Sequence, residues 1–296
     1  MHITIAMLTK VYRGGVRALD GIEIDLDPGM TGLLGANGAG KTTLMRILTG
    51  IITPTSGSVS IDGHDPTSTS GRRAVTATLG YLPQEIEPYP DLTGREFLDY
   101  LALLKGVTNK AARRRQVGAL LEQVSLDDVA KRRIKSYSGG MKRRLGIAQA
   151  LLGNPRLIIV DEPTAGLDPE ERMRFRALLA SLGAERTVVL STHILDDVAQ
   201  TCERTAVLGA GRLVYHGATS GLVEAARGRT FSLTTRGAPP AGDHDIVNAQ
   251  SAGSGTLYRI VTDNPPPGGV PAEPTIEDGY VALMRTTRNR APSEQR

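Results

Sequence analysis

Gly35-Ala36-Asn37-Gly38-Ala39-Gly40-Lys41-Thr42-Thr43 is the stretch of this chain best suited to chemistry. It lies between an apolar, strand-like segment at residues 30–34 and a helix-like one at 44–48. The spacing fits G-x-x-x-x-G-K-[ST]. A loop that wraps a triphosphate must present backbone N–H groups at close range, and Gly35, Gly38 and Gly40 lack the side chains that would hold the backbone away. Lys41 supplies a charge for the terminal phosphates and Thr42 a hydroxyl for Mg2+. The helix that follows points its positive dipole end at the anion.

A second group of candidates ends an apolar run at residues 157–160, short enough to be a central buried strand. Asp161 and Glu162 follow it. Two carboxylates at the end of a buried strand are costly to desolvate without a task. Beside a phosphate loop the economical assignment gives Asp161 to the Mg2+ shell and Glu162 to an attacking water as general base. Capping or salt-bridged acids are the plainer alternative. His193 closes another apolar strand at 187–190, the position where α/β folds place ligands, although a lone His is more often structural. Gln84, the polar end of a strand-like segment at 79–84, could reach the metal or could make local loop hydrogen bonds.

Ser138-Gly139-Gly140 precedes a helical run at 141–152 and offers a hydroxyl, two unobstructed amides and a dipole end. Alone it reads equally as a helix cap. Tyr12, upstream of the phosphate loop, is either an adenine-stacking ring or an ordinary half-buried Tyr, and Val16 could line the same pocket.

These residues need elements to hold them. Residues 3–8 and 21–26 read as antiparallel strands leading into the phosphate loop, and 57–63 as a short strand and turn. From Thr93 the apolar spacing changes to three and four, predicting a helical insert over about 93–136 with helices at 96–104, 110–124 and 126–132. Its Arg113-Arg114-Arg115 and Lys131-Arg132-Arg133 runs read as solvated faces. A hairpin of 206–208 and 212–215 closes the main unit, which spans residues 1–218. Residues 219–286 form a small appendage with strands near 230–234 and 257–261 and a helix opening at 274–278 and running through Met284; 287–296 read as a disordered tail.

Composition narrows the class. The 296 residues are 40% hydrophobic and 22% charged, as in an ordinary globular protein, and with no Trp and three Phe the core must be aliphatic. One cysteine, Cys202, rules out an internal disulfide and a Cys-based zinc cluster. The N-terminal ten residues do not read as a secretory leader, and no apolar run has the length of a membrane helix. The net charge of +4 is distributed along the chain, so no nucleic-acid partner is expected.

The order Tyr12, GANGAGKTT, Gln84, YSGGM, LIIVDEP, Gly166-Leu167-Asp168 and His193 resembles the ATP-binding cassette of ABC transporters across roughly residues 2–217. The resemblance implies an α/β P-loop NTPase fold of the ABC type: a mixed sheet core with an antiparallel β subdomain and an α-helical insert, here followed by the small C-terminal α+β appendage. It implies an ATPase with ATP and Mg2+ as cofactors. Two cassettes, a homodimer or a pair with a second ABC subunit, would face head to tail. The phosphate loop, Gly35 through Thr43, of one and Ser138, Gly139 and Gly140 of the other would hold each ATP. By the same resemblance Gln84 senses Mg2+ and the lytic water, Asp168 couples the two sites, His193 holds the γ-phosphate and Tyr12 stacks on adenine.

The common signature of the family is Leu-Ser-Gly-Gly-Gln, whereas Tyr137 and Met141 flank the core here. YSGGMKRRL resembles the branch that serves ABC-2 type exporters, including drug and antibiotic efflux systems. That implies separate transmembrane permease subunits and a peripheral position at the cytoplasmic face of the membrane, with Ile86, Tyr89 and Leu92 as candidate permease contacts. The alternative is a soluble ABC-type ATPase acting on nucleic acid or ribosomes, which usually carries a second cassette, a coiled-coil insertion or zinc cysteines.

Overall fold

The computed structural model describes residues 1–290. The chain runs β1 (Ile3–Val11), β2 (Arg17–Leu26), β3 (Gly29–Leu34), α1 (Lys41–Leu48), β4 (Ser56–Ile61), α2 (Thr69–Thr78), β5 (Leu79–Leu82), α3 (Gly94–Leu104), α4 (Lys110–Gln123) and α5 (Gly139–Ala150). It continues through β6 (Leu157–Asp161), α6 (Pro169–Gly183), β7 (Thr187–Thr192), α7 (Leu195–Thr201), β8 (Arg204–Gly209) and β9 (Arg212–Ala218). The last elements are α8 (Thr219–Glu224), β10 (Thr230–Thr235), β11 (Asp245–Ala252), β12 (Gly255–Val261), β13 (Val270–Pro271) and α9 (Ile276–Arg290).

The central sheet has the order β5-β6-β7-β3-β8-β9, parallel except for the last pair. The inner strands β3, β6 and β7 are buried nearly throughout because both faces are covered. Alternation divides their side chains between two cores. Leu34, Ile158, Val160, Val188 and Leu190 face the core shared with α3, α4, α5 and α6. Leu33, Leu157, Ile159 and Val189 face the one shared with α1 and the antiparallel sheet β2-β1-β4.

The strand order decides where the site lies. β7 sits between β3 and β6, with Leu34 opposite Thr192 and Asp161 opposite Ser191. The carboxyl ends of three neighbouring strands therefore deliver the phosphate loop, His193 and the Asp161-Glu162 pair to one edge of the sheet, as open α/β sheets do.

Beyond β9, an antiparallel sheet of order β11-β12-β10-β13 packs with α8 and α9. α9 crosses α8 so closely that a Cβ on Gly279 would stand 1.8 Å from the Leu222 carbonyl. Tyr280, Leu283 and Met284 of α9 join the core that contains Leu34 and Val207.

The expected helix at 126–132 is not formed. Ser125 takes φ +53, and the Leu126 N–H returns to the Leu121 carbonyl at 2.8 Å, which closes α4. Leu126 and Ala130 are buried from successive turns, so their three-and-four spacing reflects packing rather than a helix. Two boundaries also move. The helix expected to start at Met141 starts at Gly139, with the Ser138 hydroxyl accepting from the Met141 N–H at 3.2 Å. Of the tail expected over 287–296, residues 287–290 continue α9, and the rest lies outside the described residues.

Candidate active site

The phosphate loop leaves β3 at Leu34 and enters α1 at Lys41. Gly40, the N-cap, has φ +104 and no side-chain cap, and a Cβ there would lie 2.5 Å from the Ala18 carbonyl. No side chain competes for the first amides of α1, which remain available to an anion. Gly35 serves packing instead: a Cβ would meet the Leu208 carbonyl at 2.6 Å.

Lys41 is 6% exposed; its Nζ donates to the Gly35 carbonyl at 2.7 Å and lies 3.3 Å from Glu162 Oε1. The other oxygen, Glu162 Oε2, is 2.8 Å from His193 Nδ1. Glu162 thus stands between a cation from the β3 loop and an imidazole from the end of β7. The Glu162 backbone has φ +47, a region costing a non-glycine residue about 1–2 kcal/mol, and its N–H is held by the Ser191 carbonyl at 2.9 Å.

Asp161 is 1% exposed, and neither carboxylate oxygen has a hydrogen-bond partner among the described residues. The Ser191 hydroxyl, its neighbour across the ladder, is also unpartnered. Burial pushes the Asp161 carboxyl above the ordinary aspartate range; the Ser191 and Thr42 hydroxyls stand near it without hydrogen-bonding geometry. A buried carboxylate with both oxygens free, beside a threonine hydroxyl, fits the donor set of a hard divalent cation that keeps several waters.

A cavity of about 340 Å³ runs along this edge, lined by Tyr12, Val16, Arg17, Ala18, residues 37–43, Gln84 and Glu162. It brings together the phosphate loop, the candidate adenine contact, the candidate metal contact and the candidate base. The Tyr12 ring is 38% exposed, its hydroxyl is 3.3 Å from Thr43 Oγ1, and Lys10 Nζ lies 5.4 Å from its centroid. Gln84 is exposed in a bend two residues beyond β5, not at the strand end itself.

Ser138, Gly139, Gly140 and Asp168 are not among the residues lining this cavity. Ser138 and Gly139 are exposed where α5 begins. Asp168 is an exposed N-cap of α6, accepting from the Glu171 N–H at 2.8 Å. Of the candidate permease contacts, Ile86 and Leu92 pack partly against the core, whereas Tyr89 is 55% exposed and meets Phe97 and Tyr100 edge-on.

Sequence reading missed three neighbours of the site. Ser191 is fully buried beside Asp161; its place at the end of an apolar strand was the available signal. Arg143 reaches the backbone of Gln84, Glu162 and Pro163, and no spacing rule marks it. Tyr280 of α9 lies against the Ala36 backbone, whose amide offsets part of the burial that pushes the Tyr280 hydroxyl up.

The sequence profile of the ABC transporter family matches residues 19–165. The uncharacterized ABC transporter ATP-binding protein YxlF of Bacillus subtilis is 34% identical over 235 residues, covering 79% of this chain and 77% of that one. The probable multidrug ABC transporter ATP-binding protein YbhF of Escherichia coli is 41% identical over 207 residues, which are 70% of this chain but only 35% of that longer one. The methionine import ATP-binding protein MetN of Corynebacterium diphtheriae is 38% identical over 218 residues, covering 71% of this chain and 64% of that one. Among solved structures, the dimeric ATP-binding cassette MJ0796 bound to ADP and Pi superposes with a TM-score of 0.67 at 26% identity, covering 73% of this chain and 98% of that one. No helix among the described residues is long and apolar enough to cross a membrane. The chain belongs to the ABC transporter family of ATP-binding proteins and carries that family's P-loop ATPase cassette.

Proposed function

We propose that residues 1–218 bind ATP and Mg2+ and hydrolyse ATP across a head-to-tail pair of cassettes, and that this cycle powers an ABC-2 type exporter. The separation of the two anion cradles carries the proposal: the phosphate loop opens into its own cavity, while Ser138 and Gly139 stand exposed outside its lining. Each cradle is half a site, and a second chain supplies the complement. The MJ0796 dimer with ADP and Pi supports this arrangement.

Within each half the residues divide the work. Lys41 exchanges its contact with Glu162 for the terminal phosphates, and the free amides of α1 orient them. Asp161, Thr42 and Gln84 would hold Mg2+, which neutralises phosphate charge when bound. Glu162 accepts the proton of the attacking water on a carboxylate that His193 holds at 2.8 Å. His193 also reaches the γ-phosphate, Tyr12 stacks on adenine and Asp168 lies at the seam between cassettes. Binding favours the closed pair because only that state completes both cradles; hydrolysis reopens it.

The Tyr137-Ser138-Gly139-Gly140-Met141 signature and the multidrug name of the Escherichia coli relative support export, while the name of the methionine importer points the other way. The permease is a separate chain that places this subunit at the cytoplasmic face. It would sit in the groove lined by Ile51, Tyr81, Leu101 and Leu104. Residues 219–286 form an accessory domain. The test is co-purification from membranes with the membrane protein encoded beside this one. Retention that depends on that partner is expected; nuclease-sensitive sedimentation with ribosomes or DNA would contradict transport.

A further inference from the structure

Arg143 stands on the second turn of α5, the helix that begins at Ser138, and its guanidinium points back into its own chain. Nε donates to the Pro163 carbonyl at 2.7 Å. Nη1 donates to the carbonyl of Gln84, and Nη2 to that of Glu162. A planar fork with five N–H groups is the side chain that can satisfy three main-chain acceptors from two loops at once. The three acceptors are the loop that carries the candidate metal contact, the candidate base itself, and the residue after the base.

The Glu162 backbone needs such support. Left-handed backbone in a non-glycine residue persists only where its surroundings over-determine it. Here the Ser191 carbonyl fixes the N–H and Arg143 fixes the carbonyl, so the residue is pinned from both sides of its strained φ. The neighbouring Arg144 reaches the other way: Nη1 donates to the Val124 and Ser125 carbonyls at 3.1 and 2.8 Å. Two adjacent guanidinium groups therefore tie α5 to the base on one side and to the end of α4 on the other.

We infer that Arg143 is a positioning residue for ATP hydrolysis: bridging the carbonyls of Gln84, Glu162 and Pro163, it holds the general base and the Gln84 loop in register with the helix that presents Ser138 to the partner cassette. The inference rests on the reading of Glu162 as the base. The positive charge alone is insufficient, because a lysine ammonium at the end of a flexible stem cannot span three carbonyls from two loops. Among the described residues the Arg143 guanidinium hydrogen-bonds to backbone carbonyls alone, so its loss acts on the turnover step and leaves the phosphate loop intact.

The test is steady-state ATP hydrolysis by the full chain carrying Arg143→Ala, Arg143→Lys, Glu162→Gln, and Arg143→Ala with Glu162→Gln, with nucleotide affinity measured in parallel by a fluorescent ADP analogue. The expected result is a kcat for Arg143→Ala lower by about 10- to 100-fold, with KM and ADP affinity within about threefold. Arg143→Lys should stay impaired, millimolar guanidinium should partly restore Arg143→Ala, and the double variant should be no slower than Glu162→Gln alone. A kcat for Arg143→Ala within twofold of wild type, beside an impaired Glu162→Gln, overturns the role of Arg143 and leaves the base in place. Loss of ADP binding in step with kcat, unrelieved by guanidinium, makes Arg143 a general structural contact and also overturns it. An unimpaired Glu162→Gln removes the base itself, and the inference with it.

Discussion

Lys41 Nζ and Glu162 Oε1 lie 3.3 Å apart, at side-chain exposures of 6% and 7%. The two groups come from loops after different strands, and each holds the other. Removing one member of a buried ion pair leaves the other uncompensated. Phosphate oxygens can take over the lysine, so binding exchanges one set of anionic partners for another and releases the carboxylate for the water. Glu162→Gln should cut kcat by about 10²- to 10⁴-fold and bind ATP at least as tightly as wild type, because no carboxylate then competes for Lys41. Single-turnover hydrolysis and equilibrium ATP binding check both halves. Loss of binding in step with loss of turnover would contradict the exchange.

Asp161 carries a cost that the proposed metal role explains. Its pKa is raised above the usual 3.8, chiefly by burial, so the fold favours the protonated acid. Its contribution to stability is full below about pH 3.8 and is lost as pH rises through the higher folded-state value. At neutral pH without metal, the charge therefore weakens the fold. Asp161→Asn should raise the metal-free melting temperature at pH 7.5 by about 2–4 °C, corresponding to roughly 1 kcal/mol, and should abolish the stabilisation that Mg2+ gives with ATP. The difference between variant and wild type should shrink toward pH 4. A variant that melts below wild type at pH 7.5 would show that the carboxylate supports the empty fold.

The thiol of Cys202 is buried, and desolvation pushes its pKa up to about 12. At pH 8 that leaves about one thiolate in ten thousand. Labelling by an aromatic disulfide should be at least about 100-fold slower in the native protein than in guanidinium. Equal rates would place the end of α7 in solvent.

Much of this site was legible because its chemistry needs particular residues at particular ends of elements. Glycines before Lys41 and Thr42, a pair of acids closing an apolar run and a His closing another all fall where the structure brings three strand ends together. What the sequence leaves silent is held by backbone. Arg143 in the run Lys142-Arg143-Arg144 has the same composition as a solvated helix face, and only the positions of three carbonyls distinguish it. The left-handed backbone at Glu162 has no glycine to announce it. The misread helix at 126–132 and the unforeseen α2 fail for opposite reasons. The first has a helical apolar spacing satisfied by turns; the second buries only Gly71 and Val75, too few positions to show a period. Strand β11 escaped notice because it is largely exposed and carries few β-branched residues.

The claim that each catalytic site is shared between two chains is tested most directly by complementation. Lys41→Ala removes a phosphate-loop cation, and Ser138→Arg blocks an opposite cradle. Each variant alone should hydrolyse ATP at less than about 1% of the wild-type rate. Mixing them in equal amounts should restore up to about one quarter of wild-type activity per chain, because half of random pairs are mixed and each mixed pair holds one whole site. A mixture as inert as its components, or a Ser138→Arg variant at full speed by itself, would contradict the shared site.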